Sequence, residues 1–187
     1  YTGKRIVVIG SGATAATLIP SLAPDAGHVT MLQRSPTYIA SIPSVDFIYE
    51  KMRKVLPEDL AYRLTRARNI GMQRAIYAAA RKQPQLLRKF LLHSIKAQLK
   101  GKVDMKHFTP EYNPWDQRLC VVPDGDLFRI LRSGKASVET DQIEKFTAEG
   151  IQLKSGKHLD ADIIVSATGL NIQILGGIQA TIDGRPL

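Results

Sequence analysis

The sequence predicts an α/β fold with a mainly parallel sheet, and three features near its start carry that prediction. Residues 4–10 (KRIVVIG) contain a β-branched apolar run that a glycine ends, as in a short buried strand. Residues 13–22 are apolar on almost every side, which predicts a helix packed on a sheet and kinked or closed by Pro20. Residues 28–32 (HVTML) predict a second strand. Two strands joined by a helix within about 30 residues predict a parallel βαβ unit.

The turn between the first strand and the helix fits the pattern G-x-G-x-x-A. Because the pattern follows a strand and opens a helix, it predicts a Rossmann-type dinucleotide-binding site. The first glycine permits the tight turn, the second lets the backbone approach a pyrophosphate, and the alanine keeps the helix close to the strand. A glycine turn that only packs tightly is the alternative. The residues predicted to bind the cofactor in this turn are Gly10, Ser11, Gly12, Ala13, Thr14 and Ala15.

The end of the second strand predicts which dinucleotide binds. NAD sites carry an acidic side chain about 20 residues beyond the first glycine, where it accepts a hydrogen bond from the ribose. This chain has Gln33, Arg34 and Ser35 in that region. A guanidinium followed by a hydroxyl suits the 2′-phosphate of NADPH. We therefore assign Arg34 and Ser35 to NADPH binding, with a solvated surface arginine as the alternative.

The middle of the chain departs from the βαβ pattern. Residues 35–43 contain two prolines and predict a loop, and residues 108–126 predict an irregular, proline-rich segment. Between them, the pattern predicts two to four helices with breaks near Pro57 and Pro84. The predicted organisation is a Rossmann-type domain of residues 1–44 and 102–187, interrupted by a basic helical insertion of residues 45–101.

The last third of the chain returns to strands. Asp126 is predicted to cap a short helix that runs to Arg132, with Gly134 at its carboxyl end. Ser155 and Gly156 predict the turn of a β-hairpin. The predicted strands are residues 136–139 and 142–146, the hairpin strands 151–153 and 158–159, and a last buried strand at 162–167.

Charge and composition narrow the function classes. The net charge of the 187 residues is +9, and residues 51–106 hold 15 Lys and Arg against three acidic residues. This segment lacks the regular aromatic residues of single-strand binders, so we expect no nucleic-acid partner. A solvated basic face, or peripheral contact with an anionic membrane, remains open. A single cysteine and the lack of a long apolar run predict a cytoplasmic protein.

The motifs together resemble a known enzyme family. Gly3-Lys4-Arg5, GSGATA, LQRSPTY, YNPWDQR and a closing ATG occur in this order along the whole chain. They resemble the flavin-containing and Baeyer–Villiger monooxygenases, in the branch that includes the ethionamide-activating monooxygenase. The resemblance implies an NADPH-binding domain whose FAD-binding domain is absent from this chain. It implies an enzyme in which NADPH reduces FAD and one oxygen of O₂ enters a small-molecule substrate, namely a ketone, a thioether or a thioamide.

The resemblance also assigns residues outside the glycine turn. Arg118 would face the flavin and stabilise the negative charge that develops during oxygen transfer, as a catalytic residue. Gln117 stands where the family carries a lysine that helps to hold the 2′-phosphate, which puts that contact in doubt. An arginine beside Asp116 also fits a structural ion pair. The closing motif adds Ala167, Thr168 and Gly169 to the predicted cofactor site, where the chain crosses between nucleotide domains.

Two rival functions remain open at this level. A flavoprotein disulfide reductase has the same kind of NAD(P)H domain, but it needs a redox-active cysteine pair elsewhere, and Arg118 would have no special role. A non-catalytic nucleotide-binding module would use the basic helices for docking. No Cys/His spacing predicts a metal site, and Cys120 reads as a buried residue. We also expect exposed apolar surface and weak solubility of the isolated chain.

Overall fold

A computed structural model describes residues 1–186 and shows a parallel sheet flanked by helices. The four strands of this sheet lie in the order Ala136–Thr140, His28–Gln33, Arg5–Ile9 and Ile163–Ser166, and every neighbouring pair is parallel. The elements, in chain order, are β1 (Arg5–Ile9), α1 (Ala13–Leu22), β2 (His28–Gln33), β3 (Tyr38–Ile42), α2 (Phe47–Met52), α3 (Glu58–Lys82), α4 (Pro84–Leu99), a 3₁₀ helix (Met105–Phe108), β4 (Leu119–Pro123), α5 (Asp126–Ser133), β5 (Ala136–Thr140), β6 (Ile143–Phe146), β7 (Gly150–Leu153), β8 (His158–Asp160), β9 (Ile163–Ser166), a 3₁₀ helix (Ile174–Gly177), β10 (Thr181–Ile182) and β11 (Arg185–Pro186).

The βαβ unit that the sequence predicts is present. Strand β1 pairs with β2 on one side and with β9 on the other, so it lies inside the sheet. Helix α1 buries Ala15, Ala16 and Ile19, which join the main hydrophobic core. Pro20 lies inside α1, and the helix continues for two residues beyond it. The α/β class and the mainly parallel sheet are therefore confirmed.

Two segments predicted to be irregular contain strands. Tyr38–Ile42 and Leu119–Pro123 form a separate two-stranded parallel sheet, with Tyr38 opposite Leu119. The predictions of a loop at 35–43 and of an irregular segment throughout 108–126 are therefore wrong. The prolines that suggested loops flank the first strand and end the second, where a missing N–H does not interrupt the pairing.

The basic segment forms helices α2 to α4, within the predicted number. Pro57 precedes α3, and Glu58 and Asp59 occupy its first turn, where the helix dipole favours acidic side chains. Helix α4 begins at Pro84 and contributes Ile95 and Leu99 to the same core as the parallel sheet. The division of the chain into a Rossmann-type domain and an insertion stays a prediction.

The last third contains the expected short helix and hairpin. Gly125 precedes α5 at the N-cap position, so Asp126 is the first helical residue and the prediction that it caps the helix is wrong. Gly134 ends α5 in the left-handed conformation, as predicted. The hairpin β7-β8 belongs to a three-stranded antiparallel sheet, β6-β7-β8.

Strand β9 is less buried than its apolar sequence suggested. None of its four residues is buried, and Ile164 is 38% exposed. Because β9 lies at the edge of the parallel sheet, it has a neighbouring strand on one side only. The prediction of a buried last strand is therefore wrong. Over residues 1–186, no helix combines the length and the apolar character that crossing a bilayer requires.

Candidate functional site

A cleft of about 660 Å³ opens at the carboxyl ends of the parallel strands. This edge is where ligands bind in open α/β sheets, because the strand-to-helix turns present free backbone groups there. Its lining comes from the turns that follow β1, β2, β5 and β9, with Arg118 from the segment before β4. The lining residues are Ile9, Gly10, Ser11, Gly12, Ala13, Thr14, Leu32, Arg34, Ser35, Arg118, Asp141, Gln142, Ile143, Ala167, Thr168 and Gly169.

Eleven of the thirteen residues assigned from the sequence line this one cleft. Segments that are far apart in the chain, around positions 10, 34, 118 and 168, meet there. Ala15 does not line the cleft, because its side chain is fully buried between α1 and the sheet. Gln117 is exposed and lies outside the lining. The structure therefore brings the predicted set together, with these two residues in other surroundings.

The two glycines of the turn differ in what surrounds them. Gly10 has a φ of +131°, and a Cβ there would lie 2.3 Å from the carbonyl oxygen of Ala167. The protein itself therefore requires glycine at position 10. Gly12 has a φ of −80°, and a Cβ there would meet no atom within 4 Å. The absence of a side chain at Gly12 thus leaves open space beside the start of α1.

A small cluster of polar side chains forms hydrogen bonds with the glycine turn. The hydroxyls of Ser11 and Thr37 are both buried and lie 3.0 Å apart. The Arg118 guanidinium donates to Ser11 Oγ at 3.2 Å and to Thr37 Oγ1 at 3.4 Å. Burial raises the pKa of the Cys120 thiol, which contacts the Ser11 carbonyl oxygen at 3.5 Å. Arg118 is therefore attached to the glycine turn by hydrogen bonds.

Asp116 forms its ion pair with Arg81 and not with Arg118. The carboxylate of Asp116 accepts a hydrogen bond from Arg81 of α3 at 3.0 Å. Among residues 1–186, no carboxylate forms an ion pair with Arg118 within 4.0 Å. Its positive charge is therefore directed at the hydroxyls of the turn and at the cleft.

The side chains at the end of β2 lie in two different environments. Gln33 points inward, where its amide donates to the His107 carbonyl oxygen at 2.7 Å and to Thr140 Oγ1 at 2.9 Å. Arg34 and Ser35 follow and line the cleft. The neutral residue noted in the sequence is therefore a buried link between β2, β5 and the 3₁₀ helix, and Arg34 is the cation at the strand end.

Sequence reasoning missed the part of the cleft that follows β5. Asp141, Gln142 and Ile143 complete the lining beside β2. The Asp141 carboxylate accepts hydrogen bonds from the Ser155 and Gln142 backbone N–H groups. The Ser155 side chain, followed by these N–H groups, lowers the pKa of the Asp141 carboxyl below its usual range. The sequence signal that could have identified these residues is their position directly after β5, which is the third strand of the parallel sheet in chain order. Within the described part of the chain, no cluster of three or more His, Cys, Asp or Glu residues is arranged to hold a metal ion.

The fold and the cleft define an α/β protein of the Rossmann type. In sequence, the chain is 80% identical to the probable FAD-binding monooxygenase AlmA of Acinetobacter baylyi, over 100% of this chain and 38% of that protein. It is 59% identical to the FAD-containing monooxygenase EthA of Mycobacterium tuberculosis, over 99% of this chain and 38% of that protein. The chain is thus highly similar to a segment of proteins named as FAD-binding and FAD-containing monooxygenases, and it spans 38% of the length of these relatives.

Solved structures show the same fold. A crystal structure of OTEMO in complex with FAD and NADP matches 91% of this chain and 38% of that chain, with a TM-score of 0.65 and 19% sequence identity. Oxidised steroid monooxygenase bound to NADP matches 91% of this chain and 40% of that chain, with a TM-score of 0.64 and 20% identity. No family model matches the chain.

Proposed function

We propose that this chain is the NADPH-binding domain of a flavin-dependent monooxygenase. The observation that carries the proposal is the cleft itself, where the glycine turn, Arg34 and Arg118 meet at the carboxyl edge of a parallel sheet. The enzyme class is supported by relatives named as probable FAD-binding and FAD-containing monooxygenases. The nucleotide is inferred from the residues of this chain.

The geometry of the turn fits a pyrophosphate. Gly12 has neither a left-handed backbone nor a packing neighbour, so the fold alone does not explain a glycine there. An approaching anion explains it, because a side chain would occupy the space that the pyrophosphate needs. The first turn of the ten-residue helix α1 offers backbone N–H groups without intrahelical partners at the same point.

Arg34 and Ser35 would distinguish NADPH from NADH. They follow β2 and line the cleft, at the place where a dinucleotide presents its adenine ribose. A guanidinium pairs with phosphate oxygens in a charge-assisted hydrogen bond. Such a contact contributes about 1.5–3 kcal/mol, which corresponds to roughly a ten- to a hundredfold preference for NADPH.

Arg118 would supply a second fixed positive charge in the cleft, beside the hydroxyls of Ser11 and Thr37. In the whole protein, we propose that this charge faces the flavin and favours the state in which negative charge develops. When bound, the two cofactors would supply the redox chemistry: the hydride of NADPH would reduce FAD, and one oxygen of O₂ would enter a ketone or a sulfur centre of the substrate while the other leaves as water. The FAD-binding part of the polypeptide lies outside this chain in the proposal.

The membrane contact considered for the basic helices stays a prediction. Their positive charge and their exposed apolar side chains are its support. Sedimentation of the protein with anionic vesicles, but not with neutral ones, would support it. Equal recovery with the two kinds of vesicle would leave the charge as a solvated surface.

The first test of the proposed function is calorimetric titration of the full-length, FAD-loaded protein with NADP⁺ and with NAD⁺. We expect tighter binding of NADP⁺, and we expect Arg34→Ala to reduce that preference by about ten- to a hundredfold, as the loss of one charge-assisted contact predicts. Arg129→Ala is the matched control, because Arg129 is an exposed arginine on α5 that does not line the cleft.

The outcomes separate the rival functions. Equal affinity for the two nucleotides would refute the 2′-phosphate assignment and favour the disulfide reductase alternative. NADPH that binds but is never oxidised, even in the presence of FAD and O₂, would favour a non-catalytic nucleotide-binding module. No binding of either nucleotide would refute the cleft as a dinucleotide site.

A further inference from the structure

The segment that carries Arg118 has no regular secondary structure of its own. Residues 109–118 lie between the 3₁₀ helix and β4 without helix or strand. Within the segment, Trp115 has a φ of +67°, a conformation that non-glycine residues rarely adopt. Such a backbone persists where surrounding contacts fix it. Four of the side chains that contact this segment belong to helices α3 and α4.

Helices α3 and α4 present a row of side chains to this segment, about one per turn. Two of the contacts lie at the surface: Arg81 donates to Asp116 at 3.0 Å, and Gln85 donates to Asn113 at 3.1 Å. The ring of Tyr77 meets that of Trp115 edge-on, with centroids 6.4 Å apart. Exposed contacts of this kind contribute little individually.

The fourth contact is partly buried, and hydrogen bonds of Tyr112 connect it to Arg118. Arg88 of α4 donates to the Tyr38 hydroxyl at 2.8 Å and to the Tyr112 carbonyl oxygen at 3.1 Å. The Tyr38 hydroxyl donates to the same carbonyl oxygen at 2.8 Å, and the two tyrosine rings pack edge-on with centroids 5.3 Å apart. The Tyr112 hydroxyl then donates to the Arg118 carbonyl oxygen at 3.2 Å.

We propose that Arg88 and Tyr112 are positioning residues that fix Arg118 against the nucleotide cleft. The helical segment thus acts on the cofactor site through this chain of hydrogen bonds, although neither residue lines the cleft. The Arg118 carbonyl is held by the Tyr112 hydroxyl, and the next residue, Leu119, begins the pairing of β4 with β3. Its guanidinium is thereby kept within hydrogen-bonding distance of Ser11 and Thr37. The inference rests on the proposed NADPH site.

The test is a double-mutant cycle on NADP⁺ affinity in the full-length, FAD-loaded protein. Tyr112→Phe removes only the hydroxyl that holds the Arg118 carbonyl, and Arg88→Met removes the guanidinium. We expect each to weaken NADP⁺ binding by roughly three- to tenfold, the effect of one lost hydrogen bond. We expect neither to weaken it further in an Arg118→Ala background, because residues that act through a shared partner are not additive.

Lys89→Met is the matched control, since Lys89 is an exposed cation of α4 next to Arg88 and forms no ion pair with Asp116 or any other carboxylate among the described residues. We expect NADP⁺ affinity to be unchanged in this variant. If Arg88→Met fails to fold, Tyr112→Phe carries the test, because it leaves the ring packing in place.

The failures are distinguishable. Equal losses with and without Arg118 would overturn the positioning role and leave the NADPH site intact. Unchanged NADP⁺ affinity in Tyr112→Phe and Arg88→Met, or in Arg118→Ala itself, would also overturn the positioning role and leave the NADPH site intact. Wild-type protein that does not bind NADP⁺ would refute both the inference and the proposed function.

Discussion

The parallel sheet and the segment α2–α4 differ in how much of their apolar side-chain surface is buried. The sheet and α1 bury most of their apolar side chains, and Val7, Val8 and Ile19 are fully shielded from solvent. Helix α3, although 25 residues long, buries only Ala61 and Ala80. Several of its large apolar side chains, such as Tyr62 and Met72, are more than half exposed.

This difference shows which contacts order each region. In the sheet, interlocking apolar side chains stabilise strands that are distant in sequence. In the segment α2–α4, α4 contributes Ile95 and Leu99 to the core, and polar contacts such as those of Arg88 attach the segment further. We therefore expect substitutions of buried residues in the sheet region to lower the free energy of unfolding. Substitutions on the exposed surface of α2–α4 should leave it nearly unchanged, although some of them can affect function.

A pair of phenylalanines gives the largest expected contrast. Phe128 on α5 is fully buried and packs against Phe108, with ring centroids 5.8 Å apart, whereas Phe90 on α4 is 68% exposed. We expect Phe128→Ala to destabilise the protein by about 3–5 kcal/mol, because it leaves a cavity in the core. We expect Phe90→Ala to change stability by about 0.5 kcal/mol at most.

Thermal unfolding of the full-length protein, followed by fluorescence, measures this contrast. A loss in Phe90→Ala comparable to that in Phe128→Ala would mean that the surface of α4 is covered in the whole protein. The contrast between a buried region and an exposed one would then hold only for residues 1–186.

A pair of glycines separates stability from binding within the sheet region. A Cβ at Gly10 would clash with the Ala167 carbonyl and would require a left-handed backbone. We expect Gly10→Ala to destabilise the fold by about 1–3 kcal/mol. Gly12→Ala meets open space, so we expect an unchanged melting temperature and NADP⁺ binding weakened by about tenfold or more, because the new methyl occupies the space of the pyrophosphate.

Melting curves and NADP⁺ titrations of the two variants check this prediction. Gly12→Ala with wild-type affinity would show that the turn only packs, which is the alternative that the sequence left open. Gly12→Ala that unfolds would show that the open space is filled by another part of the protein.

The smallest expected effect is a pH dependence at the junction of the two regions. Burial lowers the pKa of His107, whose ring Nδ1 lies 2.7 Å from Thr140 Oγ1. Because the unfolded chain binds a proton at a higher pH than the folded one, stability falls as the pH decreases below about 6.5, the unperturbed value. Melting temperatures measured from pH 7.5 to pH 5.5 should fall less in His107→Gln than in the wild type. Equal slopes in the two proteins would assign the pH dependence to other groups.

Local patterns were sufficient for the first part of the fold and for most of the cleft. The apolar run at 4–10, the glycine turn and the run at 28–32 place strand, helix and strand close together in the chain. The side chains of Arg34 and Ser35 follow the second strand, so their place at the carboxyl edge follows from the parallel pairing. The ATG motif at 167–169 joins them because β9 pairs with β1.

Non-local pairing explains the errors. Tyr38–Ile42 finds its partner in Leu119–Pro123, about 80 residues away, and neither segment alternates clearly enough to predict a strand by itself. Asp141 entered the cleft only because β5 lies beside β2. The partial exposure of β9 follows from its place at the edge of the parallel sheet, which its apolar sequence does not encode.

The sequence by itself determined the α/β class, the glycine turn and the cation that follows β2, because these depend on residue types at short spacings. Only the tertiary structure decided that Gln33 points into the interior, that Asp116 pairs with Arg81, and that Arg88 reaches Tyr112. These contacts join residues separated by 24 to 74 positions. Their partners are set by the packing of whole elements, and no local pattern records that packing.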